Sequence, residues 1–366
     1  MAEVLLQGVS KSYDGRHMAV QRLDLTCPQG EMLALLGPSG CGKSSTLKMV
    51  AGIEAVSAGR ILFDGVDVTT LDSAARNVAM VFEDYALYPH LSAFENIAFP
   101  LRVRGVPGAQ VQQRVQQVID MLGLGQLLKE PVRSLSGGAQ QRVSIGRALV
   151  REPALVMFDE PLSHLDADQK VVLRTEIRRL QASAGLTSVL VTHDQTEAMA
   201  MADRIAVMDQ GVLQQVGTPA QLYGQPANRF VAGFIGDTPM NFLPARADAG
   251  SVLLVGLPGA PALALAGPWG PAADLLVGIR PEDLGTGEPR PGQPGLRLPA
   301  QVVDRECCGD RDVLLVACGQ ARLHLELPAP CGLQRGDALT CWLPADRLHV
   351  FDAASGQALA HGLAPC

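Results

Sequence analysis

The sequence predicts an α/β domain built on a parallel sheet and followed by a small all-β domain, and three observations carry that expectation. The apolar run Met32–Leu36 leads directly into the glycine-rich Gly37-Pro38-Ser39-Gly40-Cys41-Gly42-Lys43-Ser44, after which residues 45–50 continue as a helix. That is the strand, loop, helix order of a phosphate-binding loop. Two further apolar runs, Leu155–Asp159 and Ser188–Thr192, end on polar residues, as ligand-bearing strands of an open parallel sheet do. Beyond residue 236 the composition turns to Gly, Pro and Ala with short alternating strands, so a boundary is placed near Asp237-Thr238-Pro239, giving domains 1–236 and 237–366.

In chain order, residues 61–63 and Val78–Val81 read as strands, and 109–122 and 170–181 as helices with mixed polar faces. The second domain offers strands at 251–255, Asp274–Ile279, 313–318 and 338–343, separated by Gly- and Pro-rich turns, and is expected to form a small barrel. Residues 289–299 read as a flexible loop.

Composition narrows the function classes. A formal net charge of −7 lacks the basic face that phosphate neutralisation requires, so nucleic acid is not an expected partner. The eight cysteines show no metal-binding spacing and read as free thiols of a reducing compartment. The amino terminus has no basic region before a long apolar core, and nowhere do 18 apolar residues run uncharged. The chain is therefore expected to be soluble, serving a membrane only through partners.

The residue types of the loop each have a chemical reason. Glycines at 37, 40 and 42 let the backbone curl so that its N–H groups and the helix N-terminus face phosphates. Lys43 supplies a point charge to the outer phosphates, and Ser44 a hydroxyl to Mg²⁺. The loop spans Gly37, Pro38, Ser39, Gly40, Cys41, Gly42, Lys43 and Ser44, with Ser45 after it. Asp159 ends an apolar strand where a carboxylate can hold the magnesium shell, and Glu160 can reach an attacking water as general base. Tyr13 offers an aromatic face for adenine.

Downstream, Leu135-Ser136-Gly137-Gly138-Ala139-Gln140-Gln141-Arg142 resembles the signature motif of ATP-binding cassette proteins, and Leu155–Asp159 with Glu160 resembles their Walker B strand. Tyr13, the D-loop-like Ser163-His164-Leu165-Asp166 and His193 in Thr192-His193-Asp194 follow in the family's order. The resemblance narrows to import ATPases of the maltose and glycerol-3-phosphate type through Val81-Phe82-Glu83-Asp84-Tyr85-Ala86-Leu87-Tyr88-Pro89-His90, Pro239-Met240-Asn241-Phe242-Leu243 and Gly278-Ile279-Arg280-Pro281-Glu282-Asp283-Leu284. It covers nearly the whole chain.

The resemblance implies an ABC cassette with a helical subdomain at about 87–150 and a TOBE domain of oligonucleotide-binding-fold type, used for dimer contact and regulation. It implies ATP and Mg²⁺ as ligands, and a homodimer in which Leu135, Ser136, Gly137 and Gly138 of one copy complete the site of the other. His193 is then placed at the γ-phosphate, and Ser163 and Asp166 at the dimer contact. Partners would be two transmembrane permease subunits and, indirectly, a solute-binding protein, at the cytoplasmic face of a bacterial inner membrane. The implied solute is a carbohydrate or glycerol-3-phosphate, with polyamine, iron or another small solute as the runner-up. A soluble cassette ATPase of repair or translation is the rival class, against which the single cassette and β-rich tail speak.

The chain departs from the family pattern at several positions. Glu83 stands where the Q-loop carries Gln, His164 where the D-loop often has Asn, Ala139 where Gln is common, and Ser45 where Thr is usual. Ionised Glu accepts hydrogen bonds and donates none, so Glu83 is expected on the magnesium side of the site. A non-hydrolysing regulatory cassette would follow if Glu83 disabled turnover.

Overall fold

The computed structural model describes residues 1–248, 251–257, 261–263, 267–287 and 294–362. Packing divides them into Met1–Pro219 and Ala220–Cys366.

In the first unit, β1 (Val4–Ser12), β2 (Met18–Cys27), β4 (Ala58–Phe63) and β5 (Val66–Asp67) form an antiparallel sheet in the order β2-β1-β4-β5. The site rests on a second sheet of six strands: β3 (Met32–Leu36), β6 (Val78–Val81), β7 (Leu155–Asp159), β8 (Ser188–Thr192), β9 (Arg204–Asp209) and β10 (Val212–Gly217). Its order is β10-β9-β3-β8-β7-β6, parallel except for the β9–β10 edge. All five residues of β3 and of β8 are buried, which explains their continuous apolar runs in place of an alternation. Helix α1 (Lys43–Ala51) packs on this sheet through Leu47, Met49 and Val50.

A helical subdomain follows, with α2 (Ala93–Val103), α3 (Gly108–Leu122) and α4 (Gly137–Leu149) around Ile97, Leu101, Val115, Ile119 and Val143. Ser92 and Glu95 form a reciprocal capping box at α2, typically a contribution of about 1 kcal/mol. Gly146 lets the three helices approach: a Cβ there would lie 3.0 Å from both Ile97 and Leu122. Helices α5 (Ala167–Ser183) and α6 (Gln195–Met201) follow β7 and β8.

The second unit is all-β apart from α7 (Pro219–Gly224), α8 (Arg229–Phe234) and short 3-10 turns. One antiparallel sheet contains β11 (Asn241–Asp248), β12 (Ser251–Leu254), β13 (Ala262–Leu263), β14 (Asp274–Ile279), β20 (His349–Asp352) and β21 (Ala358–His361). The other contains β15 (Gly285–Thr286), β16 (Gly295–Cys307), β17 (Arg311–Cys318), β18 (Ala321–Pro328) and β19 (Ala338–Pro344). Leu243, Val277, Leu298, Val316, Leu325 and Val350 belong to one core shared by both sheets, so the expected small barrel takes the form of two hydrogen-bonded sheets.

Two expectations shift. The division by packing falls before the composition change at 236/237, because α7 and α8 are tied to the β-rich unit. Buried Arg280 donates to the carbonyls of Tyr223 and Ile235, with its guanidinium 3.6 Å from the centre of the Tyr223 ring, while Ala232 packs with Met240 and Phe351. Of the loop expected at 289–299, residues 289–293 lie outside the described residues, and Gly295–Pro299 pair with β19 as the start of β16. Proline is tolerated here because the paired register of β16 with β17 begins only at Gln301, so at Pro299 the strand is paired along its β19 edge alone.

Candidate nucleotide site

Strand register builds the site. Leu36 pairs with Thr192, Asp159 with Val191, and Val81 with Phe158, so the carboxyl ends of β3, β8, β7 and β6 stand level along one edge. The loops that leave them carry Gly37–Gly42, His193, Glu160 and Glu83. With β8 between them, β3 and β7 lie about 10 Å apart, two strand spacings.

Two glycines in the loop are required by close approach. A Cβ on Gly37 would lie 2.2 Å from the Met208 carbonyl, and one on Gly42 would lie 2.5 Å from the Ala19 carbonyl. Gly40, at φ 80°, has no neighbour near its Cβ position, so its glycine answers to backbone conformation alone. Lys43 is buried, and its ammonium donates to the carbonyls of Gly37 at 2.7 Å and Pro38 at 3.0 Å, bracing the loop. Cys41 is buried beside it, and burial raises its thiol pKa. Pro38 is half-buried, Ser39 and Ser44 are exposed, and Ser45 Oγ lies 3.2 Å from the Tyr13 hydroxyl. Tyr13 is 59% exposed, with the Lys11 ammonium over its ring at 4.7 Å from the centroid.

Asp159 and Glu160 differ sharply in setting. Burial chiefly, then the neighbouring charge of Glu160, pushes the Asp159 carboxyl above the ordinary range. Glu83 adds to the rise, while Lys48 and Lys43 oppose it. Glu160 sits at φ 46°, a left-handed conformation costing a non-glycine residue roughly 1–2 kcal/mol, and its amide donates to the Val191 carbonyl at 2.9 Å. This turn ends the strand. Across the gap, His193 Nδ1 lies 2.9 Å from Glu160 Oε2, so the histidine expected at a phosphate also engages the carboxylate beside it.

Other motif residues show structural roles as well. Ser136 is the N-cap of α4, its Oγ accepting from the Ala139 amide at 3.4 Å, while Leu135 and Gly138 flank it half-buried. Gly137 leaves room for Leu165, which would be 3.0 Å from a Cβ there. Asp166 caps α5 by accepting from the Gln169 amide at 2.9 Å, and Ser163 Oγ donates to the Glu160 carbonyl at 3.1 Å. Glu83 Oε1 lies 3.6 Å from His164 Nε2, both side chains about half exposed. Two of the four departures from the family pattern thus face each other.

Several supporting contacts have no sequence signature. The segment Tyr85–Ala86 is held at φ 61° and 46° because Ser144 and Arg147 of α4 donate to its carbonyls, at 2.9 Å from Ser144 Oγ and 2.6 Å from Arg147 Nη1. An i, i+3 polar pair on an otherwise buried helix face was the only available signal. Beside this segment lies an open groove of about 650 Å³, lined by Met80, Phe82, Ala86, Tyr88, Phe99 and Val103 among others. Tyr88 and Phe99 are in ring contact, with centroids 4.5 Å apart.

The arrangement suits a nucleoside triphosphate with Mg²⁺. Among the described residues no three His, Cys, Asp or Glu side chains converge enough to hold a metal on their own. Mg²⁺ commonly takes one or two carboxylates together with substrate phosphates, and Asp159 and Glu83 are carboxylates at this edge. The mutual repulsion among Asp159, Glu160 and Glu83 is what such a cation relieves.

Comparison with known proteins agrees with this geometry. Residues 20–163 match the family described as ABC transporter, and residues 277–351 match the TOBE domain. The sn-glycerol-3-phosphate import ATP-binding protein UgpC of Burkholderia cenocepacia (strain HI2424) is 43% identical over 98% of this chain and 99% of that protein. The protein of the same name from Chromohalobacter salexigens is 44% identical over 96% and 95%. Among solved structures, cbiO1 from Clostridium perfringens, part of the ABC transporter complex cbiONQ, superposes with a TM-score of 0.57 at 26% identity, covering 60% of this chain and 89% of that one. A phosphate loop, a signature helix and a TOBE domain in one chain, with full-length relatives of this identity, show that the chain belongs to the ATP-hydrolysing, ATP-binding subunits of ABC transporters.

Proposed function

We propose that the chain powers import of sn-glycerol-3-phosphate or a related carbohydrate, as a homodimer beneath two permease subunits at the cytoplasmic face of a bacterial inner membrane, with a solute-binding protein delivering the cargo. Among the described residues no helix is long and apolar enough to cross a membrane. The observation that carries the reading is the meeting of Glu160 and His193, 2.9 Å apart, at the sheet edge that also bears the phosphate loop. The full-length relatives are named for sn-glycerol-3-phosphate import, which supports this choice of solute.

In this reading the loop amides and Lys43 hold the phosphates, with Lys43 kept in place by the carbonyls it already contacts. Mg²⁺, when bound, supplies positive charge against the phosphate oxygens. Ser44, Asp159 and Glu83 are the residues that would hold it. Glu160 orients or deprotonates the attacking water, and ionised Glu160 accepts a hydrogen bond from Nδ1 of His193, fixing both side chains. The other ring nitrogen, Nε2, then donates to the γ-phosphate when the ring carries a proton on both nitrogens. Ser136, Gly137 and Gly138 of a second copy present the α4 N-terminus to the same phosphate, and Ser163 and Asp166 lie on the loop between the two copies. The boundary between cassette and TOBE domain is placed at 236/237 in sequence terms, with α7 and α8 as the connection packed on the β-rich unit.

Uptake of labelled sn-glycerol-3-phosphate into vesicles containing the chain and its permease subunits tests the solute. ATP-dependent accumulation is expected; active ATPase without accumulation would reassign the cargo. The groove by Tyr88 is proposed to receive a helix of the permease. Tyr88→Ala is expected to reduce co-purification with the permease subunits while ATPase of the isolated chain persists. Loss of fold in the isolated variant would instead mark Tyr88 as a packing residue.

Glu83→Gln tests the magnesium-side placement. Removing one negative charge should raise the Mg²⁺ concentration for half-maximal ATPase by on the order of tenfold, with the enzyme still active. An unchanged magnesium profile would remove Glu83 from the ligand set.

A further inference from the structure

His193 is itself exposed, so its aim depends on the backbone that carries it, and both of its neighbours in sequence are tied to one lysine. Thr192 Oγ1 donates to Glu197 Oε2 at 2.8 Å and accepts from the Asp194 amide at 3.0 Å. Asp194 Oδ1 caps α6 by accepting from the Glu197 amide at 3.2 Å. Lys170, one turn into α5, places its ammonium 3.4 Å from Asp194 Oδ2 and 3.2 Å from Glu197 Oε1. Glu197 is 2% exposed and Thr192 1%. A buried carboxylate is costly without a counter-charge, and taking away one partner of such a pair strands the other. With Lys170 gone, Glu197 is left buried without its counter-charge, and its reorientation toward water alters its hold on Thr192. The strand end that aims His193 at Glu160 then loosens.

We propose that Lys170 is a positioning residue for ATP hydrolysis, holding the Thr192–Asp194 segment so that the His193 ring meets Glu160. This rests on the reading of Glu160 and His193 as the hydrolytic pair. Lys170 lies on the helix that Asp166 caps, so the same contact links the D-loop to the histidine loop. Displacements of about 1 Å at a reacting centre are enough to cost on the order of a hundredfold in rate. The effect belongs on turnover, because Lys170 contacts none of the phosphate-loop residues described above.

Steady-state ATPase and labelled-ATP binding of the full chain as K170M, K170R, H193A and K170M/H193A test this. K170M is expected to lower kcat roughly ten- to a hundredfold with KM and ATP binding nearly unchanged, and K170R to restore most of the rate. K170M/H193A should be no slower than H193A. Wild-type kcat in K170M alongside an inactive H193A overturns the positioning role, whereas wild-type kcat in H193A overturns the underlying assignment of the pair. Weakened ATP binding in K170M, equal losses in K170R and K170M, or additive losses in the double variant also overturn it. If K170M does not fold, K170M/E197Q removes the stranded charge: reduced kcat at unchanged KM supports the proposal, and wild-type kcat refutes it.

Discussion

Glu160→Gln is expected to abolish steady-state ATP turnover, by about 10²–10⁴-fold, while leaving ATP bound. The amide preserves the size of the side chain and an oxygen facing His193, but it takes no proton from water. The contacts of Lys43 and the loop amides lie on β3 and α1, outside the changed side chain, so affinity for nucleotide should survive. The variant should therefore accumulate as a closed, ATP-loaded dimer, visible by size-exclusion chromatography with retained nucleotide. Parental turnover in the variant would remove Glu160 from the role of general base. The left-handed φ at this position adds a control: Gln accepts that conformation about as poorly as Glu, so thermal stability should change little.

Lys43→Ala should act a step earlier, at binding. The ammonium supplies charge-assisted hydrogen bonds to phosphate, each with a net contribution of about 1.5–3 kcal/mol, so ATP affinity is expected to fall roughly ten- to a hundredfold or more. The buried side chain also satisfies the carbonyls of Gly37 and Pro38, and its loss should lower the melting temperature modestly. Equilibrium binding of a labelled nucleotide separates these effects. Undiminished affinity would refute the loop as the phosphate site.

The parts of this fold that were legible in the sequence are those where one residue type answers one local demand. Leu155–Asp159 and Ser188–Thr192 are continuous apolar runs because both faces of the parallel sheet are covered, and their bounds match the strands. Gly37 and Gly42 announce themselves because a Cβ at either would strike backbone. What stayed hidden depends on partners distant in the chain. Lys170 reads as one more charge on a polar helix face until α5 is packed against α6 and its ammonium meets buried Glu197. Glu83 and His164 each stand out as departures, yet only the level ends of β6 and β7 bring them to 3.6 Å. Likewise the two helices before residue 237 read as part of the α/β domain by composition, whereas buried Arg280 fastens them to the β-rich unit.

In the proposed dimer, ATP is hydrolysed at a site completed by the α4 N-terminus of a second copy. Ser136 tests it most directly, because its side chain stands exposed at that N-terminus and caps the helix within its own chain. Ser136→Asp keeps an N-cap acceptor for the Ala139 amide while placing a negative charge where the γ-phosphate of the partner's ATP would approach. Paired measurement of ATP affinity and turnover in this variant is expected to give wild-type affinity with turnover lost. Turnover at the wild-type rate would contradict the shared site.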